Sequence, residues 1–322
     1  MKFFKGIFSI VKQSYKKYGF WGCLKSAAKF IVDPNRPPQP KYYPPDWIRL
    51  KITQIIPWIF ALKNKNHHII LSEKKLLETR TSDTLFIFGS GYSINQITNI
   101  EIKHFESNQT LSFNWFPHQK LVKIDYHLIR EITHNDFSSK VWKPALKEYT
   151  DLISNNQFYS DTTFLMQKGL KAINSNRILQ YKLISKSNRI FQWNSLRIDG
   201  RISNSISKGL SHKFSTLFEC INFGYLMGWK HIVLVGIDLY DKRYFWLPYD
   251  KMRNGKQSGS KVTELHNTAR PAMFGTMKSW ASQLNKNGTE LYVYNPKSLL
   301  SSILPIYPKP PNTETSPKSL NP

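Results

Sequence analysis

From residue 83 onward the chain alternates short apolar runs with longer stretches of helical character, and this alternation restricts the fold more than any other feature. Residues 84–88 read TLFIF and residues 231–235 read HIVLV, with further strand candidates at 110–113, 126–129, 162–166, 189–193 and 290–294. Runs of this length, apolar throughout and bounded by turn formers, suit strands buried on both faces. Helical stretches separate several of them, notably 216–227 just before HIVLV. The pattern predicts an α/β fold: a mostly parallel, twisted, Rossmann-like sheet with helices on both faces. With 322 residues, 40% hydrophobic and 14% aromatic, the chain can bury one large core or two modest ones.

The segment before residue 83 has a different character. Residues 1–32 carry seven lysines and no acidic residue, interleaved with apolar positions such as Phe3, Phe4, Ile7, Phe8 and Ile10. No apolar run reaches the ~20 residues of a membrane span, and lysines interrupt any signal-peptide core. Two readings stand: a basic amphipathic helix on an anionic membrane, or a helix packing its stripe on the domain. Residues 34–45 are proline-rich and read as a linker or strap. Residues 46–80 look helical on either side of Pro57, and the adjacent His67 and His68 read as a solvated loop. The expected organisation is an N-terminal extension over 1–80, a main domain over 81–305 with a flexible lid at about 241–270, and a loose tail over 306–322.

Lysine and arginine outnumber aspartate and glutamate by 46 to 21, a net charge of +25. Such an excess calls for an anionic partner: nucleic acid, an acidic membrane surface or an acidic substrate. No helix-turn-helix, zinc-finger or RNP pattern supports nucleic acid. The two cysteines, Cys23 and Cys220, match no metal spacing and form no disulfide framework, which suits a reducing compartment.

Three segments carry chemistry. The run 84–88 ends in Gly89-Ser90-Gly91-Tyr92-Ser93, a glycine turn of the kind that binds phosphates at a strand's carboxyl end, although such turns are as often merely tight turns. In residues 228–245 a buried strand ends at Gly236, and Asp238, Tyr240 and Tyr244 follow. They offer a cluster of hydrogen-bonding groups, or else a cap and packed rings. The basic, glycine-broken loop 249–270 reads as a lid over an anionic ligand or as a solvated insertion, and contains His266 near its end.

Taken together and in order, these segments resemble the bacterial sialyltransferases of glycosyltransferase family 42. That family's G-N-G-P-S loop is similar to Gly89–Ser93, and its C-N-Q strand end to Ser112-Phe113-Asn114. Its G-Y-K-E-I-Y-L-S-G-I-D-F-Y segment resembles Gly228 through Gly236-Ile237-Asp238-Leu239-Tyr240. Its histidine after the flexible loop resembles His266-Asn267-Thr268, and its C-P-N-S-L-L segment resembles residues 295–300. The likeness spans about residues 82–305 and is poor over 117–205.

The resemblance implies a GT-A-like variant of the α/β fold and an inverting, metal-independent transfer of sialic acid or a related acid sugar from a CMP-activated donor. It implies His266 as general base and Tyr240 and Tyr244 as donors to the leaving phosphate. The donor is expected at Gly89, Ser90, Gly91, Ser93, Asn114, Lys213, Ser215, Thr216, Gly236 and Asp238. No cofactor is expected, and the acceptor is a surface glycan of the lipooligosaccharide type, lipid-linked, at the cytoplasmic face of the inner membrane. Homo-oligomers occur among such enzymes. The chain departs from the family at Ser90, where the family has asparagine, and at Lys213-Phe214-Ser215-Thr216-Leu217, where it has R-I-T-S-G. Lysine keeps the charge but lacks the planar fork of arginine. The alternative is a non-catalytic, nucleotide- or anion-binding, membrane-associated protein of the same fold.

Overall fold

The computed structural model describes residues 44–130, 132, 139–196, 201–240, 243–248, 266 and 268–311. The amphipathic start, most of the proline-rich strap, most of the expected lid and the end of the tail lie outside these residues.

Eight strands form one sheet: β1 (Ile69–Ile70), β2 (Thr84–Phe88), β3 (Gln109–Phe113), β4 (Tyr126–Ile129), β5 (Thr163–Gln167), β6 (Arg189–Trp193), β9 (His231–Val235) and β10 (Glu290–Val293). Their order is β1-β6-β5-β4-β3-β2-β9-β10 and every pair is parallel. A second, two-stranded sheet pairs β7 (Ser195–Leu196) with β8 (Leu210–Ser211). The helices are α1 (Pro44–Lys63), α2 (Glu73–Leu77), α3 (Asn99–Glu106), α4 (Ser139–Ser154), α5 (Ile173–Tyr181), α6 (Thr216–Met227) and α7 (Pro271–Lys286).

Period-two alternation divides the core into two layers. Leu85 and Ile87 of β2 pack with α6 and α7, where Phe218, Ile221, Met277 and Trp280 are buried. Phe86 and Phe88 point the other way, onto Phe105 of α3, and that layer continues through Leu146 and Tyr149 of α4 and Ile178 of α5. Both faces of the sheet are therefore covered, and for that reason its strands read as continuous apolar runs rather than alternating ones.

Strand positions agree with the sequence reading to within a residue or so. Three elements differ. The helix over 44–63 begins inside the proline-rich stretch, with Pro44 and Pro45 in its first turn, where a missing N–H costs nothing. It also runs through Pro57 as one helix, where the sequence reads as helical on either side of that residue. The side-chain amide of Asn64 donates to the carbonyls of Leu179 and Gln180, fastening the end of α1 to α5. Beyond it, Ile69 and Ile70 join the sheet edge beside β6, and His68, expected in a solvated loop, is buried. Burial and the neighbouring His67 lower the pKa of His68. Past residue 305 the chain keeps following the sheet: Ile306 bridges to Val293, and Lys309 pairs with the buried carboxylate of Glu101 at 2.8 Å.

Candidate active site

The strand order places a reversal point between β2 and β9. From β2 the chain crosses through α3 to β3 on one side, and from β9 it crosses through α7 to β10 on the other. The loops leaving the paired ends Phe88 and Val235 therefore diverge and open a crevice at the carboxyl edge, where open α/β sheets bind ligands. The glycine turn Gly89–Ser93 and the segment from Gly236 to Tyr240 both stand at this point.

The two loops run close together. Gly89 N–H donates to Val235 O and Gly91 N–H to Gly236 O, each at 2.8 Å. A Cβ on Gly89 would stand 2.8 Å from the carbonyl of Gly236, one on Gly91 would stand 2.7 Å from it, and Gly236 itself has φ +66°. The glycines are needed for this backbone contact, independently of any ligand.

Asp238 closes the arrangement. Its carboxylate is buried and accepts from Ser93 N–H at 2.8 Å, Ser93 Oγ at 2.6 Å and Asn295 Nδ2 at 2.9 Å. Leu299 N–H donates to the Asp238 carbonyl and Ser298 Oγ to the Ile237 carbonyl. One residue thus ties together the loops after β2, β9 and β10. Both Ser93 and Asp238 act in this clamp, so they set the shape of the crevice floor.

Around the floor the sequence-predicted residues converge from four directions. Tyr244 forms an antiparallel bridge with Gly91, and Phe245 N–H donates to Ser90 O. His266 N–H donates to the carbonyl of Leu239, next to Tyr240, and the His266 ring centroid lies 6.5 Å from that of Tyr244 at an interplanar angle of 79°. His266 Nδ1 is 2.7 Å from Thr268 Oγ1 and receives the Thr268 N–H at 3.3 Å. At the end of β3, Asn114 takes φ 52° and its amide reaches Thr216 Oγ1 at 3.3 Å. Thr216 opens α6, so the amino end of that helix faces the end of β3; Ser215 is the N-cap, but its hydroxyl makes no capping bond. Lys213 lies half-buried just before it.

Backbone strain concentrates here. Four non-glycine residues among those described have positive φ: Asn114, Lys182, Phe214 and Leu239. Lys182 ends a helix, while Asn114 precedes Trp115 at the crevice, Phe214 precedes Ser215, and Leu239 precedes Tyr240. Bulky residues in this region cost roughly 1–2 kcal/mol each and persist where the surroundings impose them.

No protein-family model matches the sequence, and no curated protein matches it. Among solved structures, the monofunctional alpha-2,3-sialyltransferase Cst-I from Campylobacter jejuni aligns over 74% of this chain and 82% of its own, at 15% identity and a TM-score of 0.41. A variant of the sialyltransferase CST-II in complex with CMP aligns over 70% and 86%, at 16% identity and a TM-score of 0.41. CstII from Campylobacter jejuni with the substrate analogue CMP-3FNeuAc aligns over 72% and 92%, at 14% and 0.40. At these identities the role of each residue rests on this chain's own geometry.

Two further groups stand at the same edge, and the sequence did not show their members as neighbours. The first is a column of rings. Trp115 stacks on His118 with centroids 5.8 Å apart, His118 on Trp246 at 4.6 Å and 10°, and Trp246 leans on Tyr244 at 4.9 Å. It joins the loop after β3 to the segment holding Tyr244. The second is a buried ionic cluster in which Arg130, after β4, pairs with Glu219 in the first turn of α6. Ser195 Oγ donates to Glu219 at 3.0 Å and His212 approaches it at 3.4 Å. Burial raises the Glu219 pKa, while His212 and Arg130 oppose the rise. Nothing in the spacing 130–195–212–219 marks these residues as neighbours. Among the described residues no cluster of His, Cys, Asp or Glu could hold a metal ion.

Proposed function

We propose that the chain is a glycosyltransferase that moves sialic acid, or a related acid sugar, from a CMP-activated donor to a glycan acceptor. The observation that carries this reading is the convergence of Tyr244 and His266 on the β2/β9 crevice, beside the glycine turn and the α6 amino end. The donor lies over Gly89–Gly91 and Gly236, with Ser90 and Asn114 toward the nucleotide. The amino end of α6, with Lys213, Ser215 and Thr216, offers N–H groups and positive charge to the donor's anionic groups.

The chemistry is a single displacement. His266 Nε2 takes the proton of the acceptor hydroxyl, whose oxygen attacks the anomeric carbon from the face opposite the nucleotide. The bond from that carbon to the phosphate oxygen breaks, its electron pair stays on that oxygen, and CMP leaves. Tyr240 and Tyr244 donate hydrogen bonds to the phosphate as its charge grows, a role a divalent ion fills in other transferases. The configuration inverts and the reaction proceeds in EDTA. An acceptor carried on a lipid at the cytoplasmic membrane face, as in a lipooligosaccharide, suits the basic character of the chain.

Transfer from CMP-sialic acid, assayed with a panel of glycan acceptors, tests the reading. His266→Ala should lower kcat by about 10²–10⁴-fold while donor binding stays within a few-fold. Full activity in that variant and in the Tyr240→Phe/Tyr244→Phe pair would remove the mechanism. CMP binding without turnover on any acceptor would favour a non-catalytic relative.

A further inference from the structure

The described part of α1 has two unlike faces. Pro57 and Ala61 are buried where the helix lies on α5. On the other side Ile56, Ile59, Phe60 and Leu62 are 45%, 42%, 45% and 54% exposed. Ile56, Ile59, Phe60 and Lys63 follow the i, i+3, i+4, i+7 spacing of one helical face. Four large apolar side chains on a single exposed stretch of helix form a contiguous patch, the kind that marks an interaction surface.

Basic side chains border the described part of the patch. Lys63 lies 5.8 Å from the Phe60 ring, and Lys65 follows in the exposed turn beyond the helix. Asn64 ties this end to the last turn of α5, and Lys182, just past α5, acts electrostatically on His68. Of the described side chains in residues 54–72 and 173–190, the end of α1 with β1 and α5 with the turn after it, Lys63, Lys65, Lys182 and Lys186 are exposed and none is aspartate or glutamate.

We infer that this face of α1 is a docking surface for an anionic lipid bilayer, lying in the interface with Ile56, Ile59 and Phe60 inserted among the acyl chains and the lysines at the phosphate level. The inference does not depend on the transfer chemistry. Charge decides the occupant. A second copy would bring the same basic border against this one, and residues 1–32, with seven lysines and no acid, share its sign. An anionic surface alone among these complements both the apolar patch and its rim. Among the described residues no helix is long and apolar enough to cross a membrane, so α1 lies on the bilayer rather than through it.

Sedimentation of the full chain with two kinds of vesicle tests this, one of phosphatidylcholine alone and one containing phosphatidylglycerol as well. The expected result is binding to the second kind, weakened by added salt, and lowered about tenfold or more in Ile56→Glu/Phe60→Glu. Both substituted residues are surface-exposed, and an unchanged thermal midpoint confirms that the variant is folded. Lys63→Glu/Lys65→Glu should weaken binding and flatten its salt dependence. Equal binding by parent and Ile56→Glu/Phe60→Glu overturns the inference and assigns lipid contact to another segment. It is overturned equally if the parent binds neither vesicle, binds both alike, or forms an oligomer that the apolar substitutions dissolve without changing vesicle binding.

Discussion

His266 meets Thr268 twice through the same ring nitrogen, and the two contacts favour different tautomers. The backbone N–H at 3.3 Å favours a lone pair on Nδ1, whereas a proton on Nδ1 can be donated to Oγ1 at 2.7 Å. A general base acting through Nε2 needs the second arrangement. Thr268→Val removes the hydroxyl and keeps the backbone contact, which favours the other tautomer. It should lower kcat about tenfold with donor KM little changed, and Thr268→Ser should restore the rate. A Val variant with parental kcat would mean that Thr268 does not set the tautomer. Such pairing was hardly legible beforehand: His266 and Thr268 stood together in the stretch that resembles the family, but nothing in their spacing said that the hydroxyl would meet Nδ1. The Arg130–Glu219 pair was less legible still, since 89 residues separate the partners and their contact exists only once β4 and α6 are in place.

The central element is the pair of loops leaving β2 and β9, clamped by Asp238. Asp238→Ala leaves the Ser93 N–H and the Asn295 amide without their acceptor in a buried site. Leaving such donors unpaired should cost roughly 2–4 kcal/mol in denaturant unfolding and weaken nucleotide binding as well. Gly236→Ala must accept φ +66° and a Cβ 2.6 Å from Ile94, so a loss of about 1–3 kcal/mol is expected in the same measurement. A neutral Asp238→Ala would mean that the loops hold together without the clamp. At this scale the sequence was informative, because the apolar runs of β2 and β9 and the glycines at their ends leave few alternatives. The two-residue strands β1, β7 and β8 were not seen, being too short to show a period. The passage of α1 through Pro57 was not seen either, because the packing on α5 that tolerates it lies more than a hundred residues away.

For the molecule as a whole, the buried His127 links stability to pH. It is enclosed between strands and helices, with Ser112 on Nδ1 and Tyr149 on Nε2, and burial lowers its pKa from the ordinary 6.5 to about 3. Between these values the unfolded chain binds a proton that the folded chain does not. The stability of the neutral form is therefore complete above pH 6.5 and is lost as pH falls toward 3, by up to ~1.4 kcal/mol per pH unit. Asp125 and Glu219, whose pKa values burial raises, change stability in the opposite sense. Comparing urea unfolding of the parent with His127→Gln between pH 7 and 5 isolates the histidine, and the variant should show the shallower fall. The parallel architecture was legible at this scale from alternation alone, and the net charge pointed to an anionic partner without saying which surface meets it.

Thermal unfolding of the full chain with CMP, UDP and GDP, each with and without EDTA, separates a CMP-dependent transferase from the alternatives. A nucleotide present at ~100 times its dissociation constant stabilises the folded state by roughly 2.7 kcal/mol. The expected result is a rise in midpoint with CMP that EDTA leaves unchanged and that Asp238→Ala diminishes. A preference for UDP or GDP, or no shift with any of the three, would contradict it.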